Sequence, residues 1–368
     1  VIRIDRRTSA LVLGMALDGC SRSGPAPTAA RDAGAAATTT TSPEAASIDP
    51  TTVAGAFRGT LDGKHTIVMH LVNRAGTLEG TYYYVPSIED LQLHGTVSSA
   101  GVVHLDEASK GHPTGAFDGQ LAASGALDGT WSNPDRTRSL PVHLEPVRSA
   151  PGAPVTIVER KKKAKLKPTR PFDRTMWSQQ AVCDVDIAYP DLLGAVTPAA
   201  QELAVDRQLQ KSAVEDLEAC EAPFQLQESY KVVTNGSGVL SLEQAVNQFA
   251  FGAAHPNYSV VTTNYALPSG RTIALGEVIT PAGLELCRTR LVASLQPDVG
   301  AEVKGMVDEA FSAGSPDFSL GKDGLRVSVF DSLPHAYQGA GADGTAISVT
   351  DLAAVRKRPG PADALWGR

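Results

Sequence analysis

No stretch of this 368-residue chain approaches the roughly 20 consecutive apolar residues that a helix needs to span a bilayer. Signatures of chemistry are equally scarce: there is no Gly-x-Ser-x-Gly elbow, no His-Glu-x-x-His helix, no phosphate-binding glycine loop and no Cys-x-x-Cys pair. These absences remove the recognisable serine-hydrolase, zinc-protease, nucleotide-binding and dithiol classes, so no catalytic residue, metal or cofactor is expected. Basic charge is short as well, 33 Lys and Arg against 40 Asp and Glu for a net charge of -7. That balance argues against nucleic acid as a partner, since phosphate binding needs a concentrated basic surface. Cysteine is limited to four residues. What is present, 42% hydrophobic residues, suffices for the cores of roughly two domains.

The N-terminus carries Arg3, Arg6 and Arg7, then a short apolar run from Ala10 to Leu17, then Gly19 and Cys20. A basic region, a brief apolar region and small residues before a cysteine make a secretory signal, and Leu17, three positions before Cys20, resembles the bacterial lipoprotein pattern. Asp18 departs from that pattern, which has a small neutral residue there; the competing reading is an ordinary or uncleaved signal with a chance cysteine. The expectation is a signal over residues 1–20 with Cys20 lipidated, attachment to the membrane through that lipid, and a place in the bacterial cell envelope. Ser21 after the cysteine favours the outer membrane in a host with two. Residues 21–53 are mostly Ala, Thr, Ser, Pro and Gly, the composition of a disordered tether.

From residue 54 to 147 a glycine-threonine-hydrophobic signature recurs, at Gly59-Thr60-Leu61, Gly80-Thr81-Tyr82, Gly95-Thr96-Val97 and Gly129-Thr130-Trp131. Alternating segments such as Thr66 to Leu71 and Gly101 to Leu105 lie between turn clusters, which predicts about eight short antiparallel strands. An up-and-down meander of that length must close or curl to protect its edges, so a small barrel or strongly twisted sheet is expected. Residues 148–179 are rich in proline and carry the basic run Arg160 to Lys167, read as a solvated linker or strand edge at the domain boundary.

The second domain mixes elements, so the chain as a whole reads as α+β. Cys183, Val185, Ile187 and Tyr189 alternate with Asp184, Asp186 and Ala188, the pattern of a strand. Thr197-Pro198 opens a helix expected to run to Cys220, and Thr280-Pro281 opens another; a third passes through Val303, Val307 and Phe311. Ser229 to Thr234, an Asn235-Gly236 turn and Val239 to Leu242 read as a hairpin. Further strands are expected at Tyr258 to Asn264, Arg271 to Leu275, Phe318 to Leu320, Leu325 to Phe330 and Ala346 to Val349. With Cys20 assigned to lipid, three cysteines remain, one disulfide and one buried thiol in an oxidising compartment. Cys183 and Cys220 both face the core and are the expected pair; Cys287 lies on a comparable helical stripe with Leu284, Leu291 and Leu295 and keeps the alternative open.

Gly252-Ala-Ala-His-Pro-Asn-Tyr258, Thr263-Asn-Tyr265 and Leu267-Pro-Ser-Gly-Arg271, with Phe318 to Phe330, Pro334-His-Ala-Tyr337, Gly339 and Ile347-Ser-Val349 near the end, resemble the RsiV-like domain. That domain occurs in lysozyme-sensing anti-sigma factors, beside peptidoglycan deacetylase domains and in many envelope lipoproteins. The resemblance covers residues 180–358, leaving 359–368 as a C-terminal tail. Ala253 replaces the second glycine of the family pattern, Ala266 replaces the usual Asp after Asn-Tyr, and Gln338 follows Tyr337 where a small residue is common. The resemblance implies a lysozyme or peptidoglycan partner and transfers no catalytic residue.

His255, with Asn257 and Tyr258 beside it, is the leading binding candidate, and His335 with Tyr337 is the second; a backbone-satisfied histidine and a structural turn are the competing readings. His65 and His70, five apart on a strand, point to opposite faces, whereas His104 and Asp106 share one. Tyr82, Tyr83, Tyr84 and Trp131 offer either core filling or a sugar-stacking surface. The expected function is that of a noncatalytic, lipid-anchored envelope protein that binds a protein or cell-wall partner. The alternative is an envelope hydrolase acting on cell-wall glycan.

Overall fold

The structure is a computed structural model that describes residues 53–150, 152–169, 182–214, 220–314, 316–341 and 343–367. Cys20 and the expected signal and tether, up to residue 52, lie outside the described residues.

Eight strands form a closed antiparallel barrel: β1 Gly55–Leu61, β2 His65–Arg74, β3 Thr77–Tyr84, β4 Leu91–Val97, β5 Val102–Ser109, β6 His112–Leu121, β7 Leu127–Ser132 and β8 Ser139–Val147. Closure is made by β1, which pairs with β2 on one side and β8 on the other. The period-two pattern places Phe57, Ile67, Met69, Leu78, Leu105 and Leu144 inside, all buried. Glu107 is the polar exception: its Oε2 accepts from Tyr82 Oη and Trp131 Nε1, each at 2.6 Å. Two charge-assisted bonds offset the cost of a carboxylate in that interior. Tyr82 and Trp131 therefore fill and brace the barrel. Glu79, His94, Asp106, Asp118, Asp128 and His143 lie exposed on its outside, the reverse of the apolar outer band of a transmembrane barrel.

The repeated glycines explain the curvature. A Cβ at Gly59, Gly80 or Gly95 would lie 1.9 Å from a carbonyl oxygen of the neighbouring strand, so glycine lets the strand backbones approach and bend at these points.

The chain then makes a mixed six-stranded sheet from β9 Thr156–Leu166, β10 Cys183–Leu193, β11 Phe224–Gly236, β12 Val239–Ala250, β13 Asn257–Ala266 and β14 Arg271–Thr272, in the order β14-β13-β12-β11-β10-β9. Only β10 and β11 are parallel, and helix α1 Ala199–Val214 lies on the crossover between them. Cys183 and Cys220 form a disulfide where β10 begins and the crossover ends, and Cys287 is a buried free thiol.

The basic run is strand, not linker. Val158 and Arg160 are buried while Lys161, Lys163 and Lys165 are exposed, a period of two that the lysines conceal. Arg160 stacks on Tyr83 at 3.7 Å from the ring centre and bonds Asp90 at 2.8 Å and the Ser87 carbonyl at 2.9 Å. Apolar contacts of Val158 and Leu193 with Ala56, Val68 and Tyr83 seat the barrel on this sheet edge.

The hairpin turn also differs from expectation. Asn235 and Gly236 are paired within β11, opposite Leu240 and Val239, and the turn is Ser237-Gly238, with φ of 52° and 77°, the left-handed pair of a two-residue loop. Asn235 instead exchanges two hydrogen bonds with the Val155 backbone, at 2.7 and 2.9 Å.

Past β14, whose expected extension to Leu275 gives way to the short helix α2 Leu275–Val278, come α3 Pro281–Val299 and α4 Val303–Ser312. Thr280 caps α3 by accepting from the Gly283 N–H at 3.3 Å, with Pro281 at the first turn. These helices pack against a small sheet of β15 Asp317–Gly321, β16 Gly324–Ser328 and β17 Thr345–Ser348. The end of the chain joins that core: Trp366 is buried and its Nε1 donates to the Gly321 carbonyl at 2.8 Å, so residues 359–367 are not a loose tail.

Burial at the start of β15 pushes the Asp317 carboxyl up to about 7 from an ordinary 3.8, with repulsion from Asp331 adding to it and a backbone bond from Thr262 opposing it. Between about pH 4 and 7 the unfolded chain has released this proton while the folded chain retains it, so stability falls as pH rises through that window and then levels off. The expected loss is on the order of 2–4 kcal/mol, and urea midpoints measured from pH 4 to 8 should show a shallower decline in Asp317→Asn than in the parent.

Candidate functional site

One face of the six-stranded sheet is covered by β15 at one end, through Ser319 on Glu243 and Leu320 on Ser241, and is open at the other. Side chains alternate along each strand, so the register that pairs Asp184 with Gln225 and Asp186 with Gln227, and those glutamines with Phe249 and Asn247, sets two polar rows side by side on this face. Lys165 and Lys163 of β9 extend the rows at one end, and Tyr258, opposite Asn247, extends the second row at the other. Their sequence neighbours Cys183, Val185, Ile187, Phe224 and Leu226 point the other way into the core. The rows line a depression of about 420 Å³ that also touches Pro256.

Lys163 is bonded to Asp186 at 2.8 Å, and this contact holds its ammonium above the ordinary lysine range. The surface thus offers carboxylate acceptors, two-sided amides and an aromatic edge, a set that can bond the hydroxyls and acetamido groups of a sugar while a ring covers its apolar face.

The loop between β12 and β13 brings the sequence candidates to the rim of this face. His255 is exposed, with its ring centre 4.4 Å from that of His335, which arrives from the far end of the chain. Tyr258, 40% exposed, packs edge-on against Phe330, and Phe251 lies nearby in sequence at 37% exposed. His255 Nδ1 is 3.2 Å from the Pro256 carbonyl. Two of the candidates fall elsewhere. Asn257, the residue before Tyr258 on the same strand, presents the opposite face, and Tyr337 is half-buried against the core of α3 and β15–β17 rather than exposed.

On the barrel, His65 is exposed and His70 buried, on opposite sides of β2. His104 lies between Asp118 at 2.6 Å and Asp106 at 3.4 Å on the open outer surface, and the hydrogen bond it donates to Asp118 raises the pKa of its imidazole. The polar rows of the sheet escaped the sequence reading, although the alternation of Asp184 and Asp186 was visible; their partners on β11 and β12 follow only from strand order.

Among solved structures the chain is similar to a DUF3298 family protein from Pseudomonas aeruginosa PAO1, at 15% identity and a TM-score of 0.40, over 59% of this chain and 99% of that one. It is also similar to a DUF3298 family member from Bacteroides fragilis, at 14% identity and a TM-score of 0.35, over 56% of this chain and 96% of that one. No protein-family model and no curated protein matches the chain.

Proposed function

We propose that the chain is a noncatalytic, lipid-anchored envelope protein that binds cell-wall glycan on the open part of one face of its six-stranded sheet. The observation that carries this reading is the pair of cross-strand rows in which Asp184, Asp186, Gln225, Gln227 and Asn247 stand beside Phe249 over one depression, with Tyr258 continuing the second row beyond it. An extended polysaccharide fits such a surface because its hydroxyls repeat along the chain as the side chains repeat across the sheet. The envelope location is supported by the residues around Cys20 and by the Cys183–Cys220 disulfide, since such bonds persist mainly in oxidising compartments.

The test is sedimentation of the purified protein with insoluble peptidoglycan, with lysozyme as a second ligand. Saturable glycan binding without cleavage is expected, weakened at least tenfold in Phe249→Ala and in Asp186→Ala while the melting temperature holds. Glycan cleavage, binding indifferent to both substitutions, or binding to lysozyme alone would overturn the reading.

A further inference from the structure

A second depression lies on the outside of the barrel, where helix α1 packs against it. The helix is held there by a buried polar contact: His70 of β2 lies 3.0 Å from Asp191 of β10 and 3.8 and 3.9 Å from Glu202 and Asp206 of α1. Arg207, the residue after Asp206, is exposed and borders a depression of about 590 Å³. That volume is in the usual range of a small-molecule site.

Strand register sets the floor of this groove. Glu79 of β3 stands opposite His94 of β4, and His94 opposite Asp106 of β5, so three exposed polar side chains form one row across the barrel wall. Gln92 stands opposite Ala108, and Ala108 opposite Pro113 of β6, which makes a second row beside the first. Both rows line the same depression as Arg207. The groove thus has two acids and an imidazole along one side, an amide and apolar atoms along the other, and a guanidinium supplied by the helix.

Charge selects what such a groove can hold. The side chains of Arg207, Glu79 and His94 form no ion pair among the described residues, and Asp106 lies 3.4 Å from the His104 imidazole at its edge. A guanidinium takes a carboxylate through two parallel hydrogen bonds, and a free carboxylate takes an ammonium. Glu79 and Asp106 repel a polyanion, and Arg207 repels a polycation. A ligand with one charge of each sign meets neither repulsion, and Gln92 can both donate to and accept from an amide.

We propose that this groove binds a short peptide by its two free ends, the carboxylate on Arg207 and the ammonium on the acidic row. The dimensions agree with that occupant. Strands lie about 4.8 Å apart, so Glu79 and Asp106, two strands apart, are separated by roughly 9.5 Å, and an extended peptide covers that distance with about three residues. Ala108 and Pro113 give its side chains an apolar wall. The groove is on the barrel and the glycan surface is on the sheet, so the two readings stand independently.

The test is titration of the purified full chain, followed by nuclear magnetic resonance shifts, with trialanine, N-acetyl-trialanine and trialanine amide. Trialanine should bind saturably, and each blocked peptide about tenfold or more weakly, the loss of one charge-assisted contact. Arg207→Gln should erase the penalty for amidation and keep that for acetylation, whereas Glu79→Gln combined with Asp106→Asn should do the reverse. All three side chains are exposed, so these variants are expected to melt with the parent. No saturable binding of trialanine, equal affinity for the three peptides, or penalties unchanged in the folded variants would overturn the proposal. If a variant fails to fold, the three peptides on the wild-type chain decide it.

Discussion

Gly95→Ala is expected to destabilise the protein by about 3 kcal/mol or more, at the upper end of what overpacking costs. Its Cβ would lie 1.9 Å from the His104 carbonyl oxygen and 2.8 Å from the Leu105 Cα, both backbone of the neighbouring strand. A flexible side chain could swing away, but a strand backbone moves only with its ladder of hydrogen bonds. The contrast is Gly305→Ala in α4, where nothing lies within 4 Å of the added carbon. There the loss of glycine's conformational freedom should raise stability by roughly 0.5–1 kcal/mol. Guanidinium unfolding of the two variants beside the parent checks both signs; equal midpoints would mean the glycine repeats do not shape the barrel.

Removing the disulfide should cost about as much. Cys183 and Cys220 are 37 positions apart, and cross-linking a loop of that length withdraws about 4 kcal/mol of entropy from the unfolded chain. Both residues are almost wholly buried, Cys183 at 0% and Cys220 at 5% exposed, so alanine rather than serine is the suitable replacement because it adds no buried hydroxyl. The Cys183→Ala, Cys220→Ala double variant is expected to unfold at a much lower denaturant concentration, and the parent in reductant should approach the same midpoint. A double variant as stable as the parent would mean that the bond contributes nothing to this fold.

The barrel was legible because two local signals agreed. Alternation marked the strands, and the glycine-threonine repeats marked where they bend, both properties of residues near in sequence. Thr280-Pro281 likewise marks the start of α3 without reference to any partner. The strand β9 was hidden because its outward positions are lysines and its inward ones include Arg160 and Lys162, so polarity does not alternate although burial does. The turn moved from Asn235-Gly236 to Ser237-Gly238 because the pairing of Leu240 and Leu242, both fully buried, set the register, and buried side chains outweigh the local preference of a turn dipeptide.

By itself, then, the amino-acid order determined the eight-stranded meander, the mixed character of the second part, the capped start of α3 and the faces of those strands whose polarity alternates, since these depend on a period of two residues and on a single capping contact. Tertiary structure alone decided which of those faces meet. His70 and Asp191 are 121 positions apart, His255 and His335 come from different segments, and the polar rows exist only because β10 lies beside β11 and β11 beside β12. Such meetings follow from how whole elements pack to remove apolar surface from water, a property of the assembled chain that no local stretch of it records.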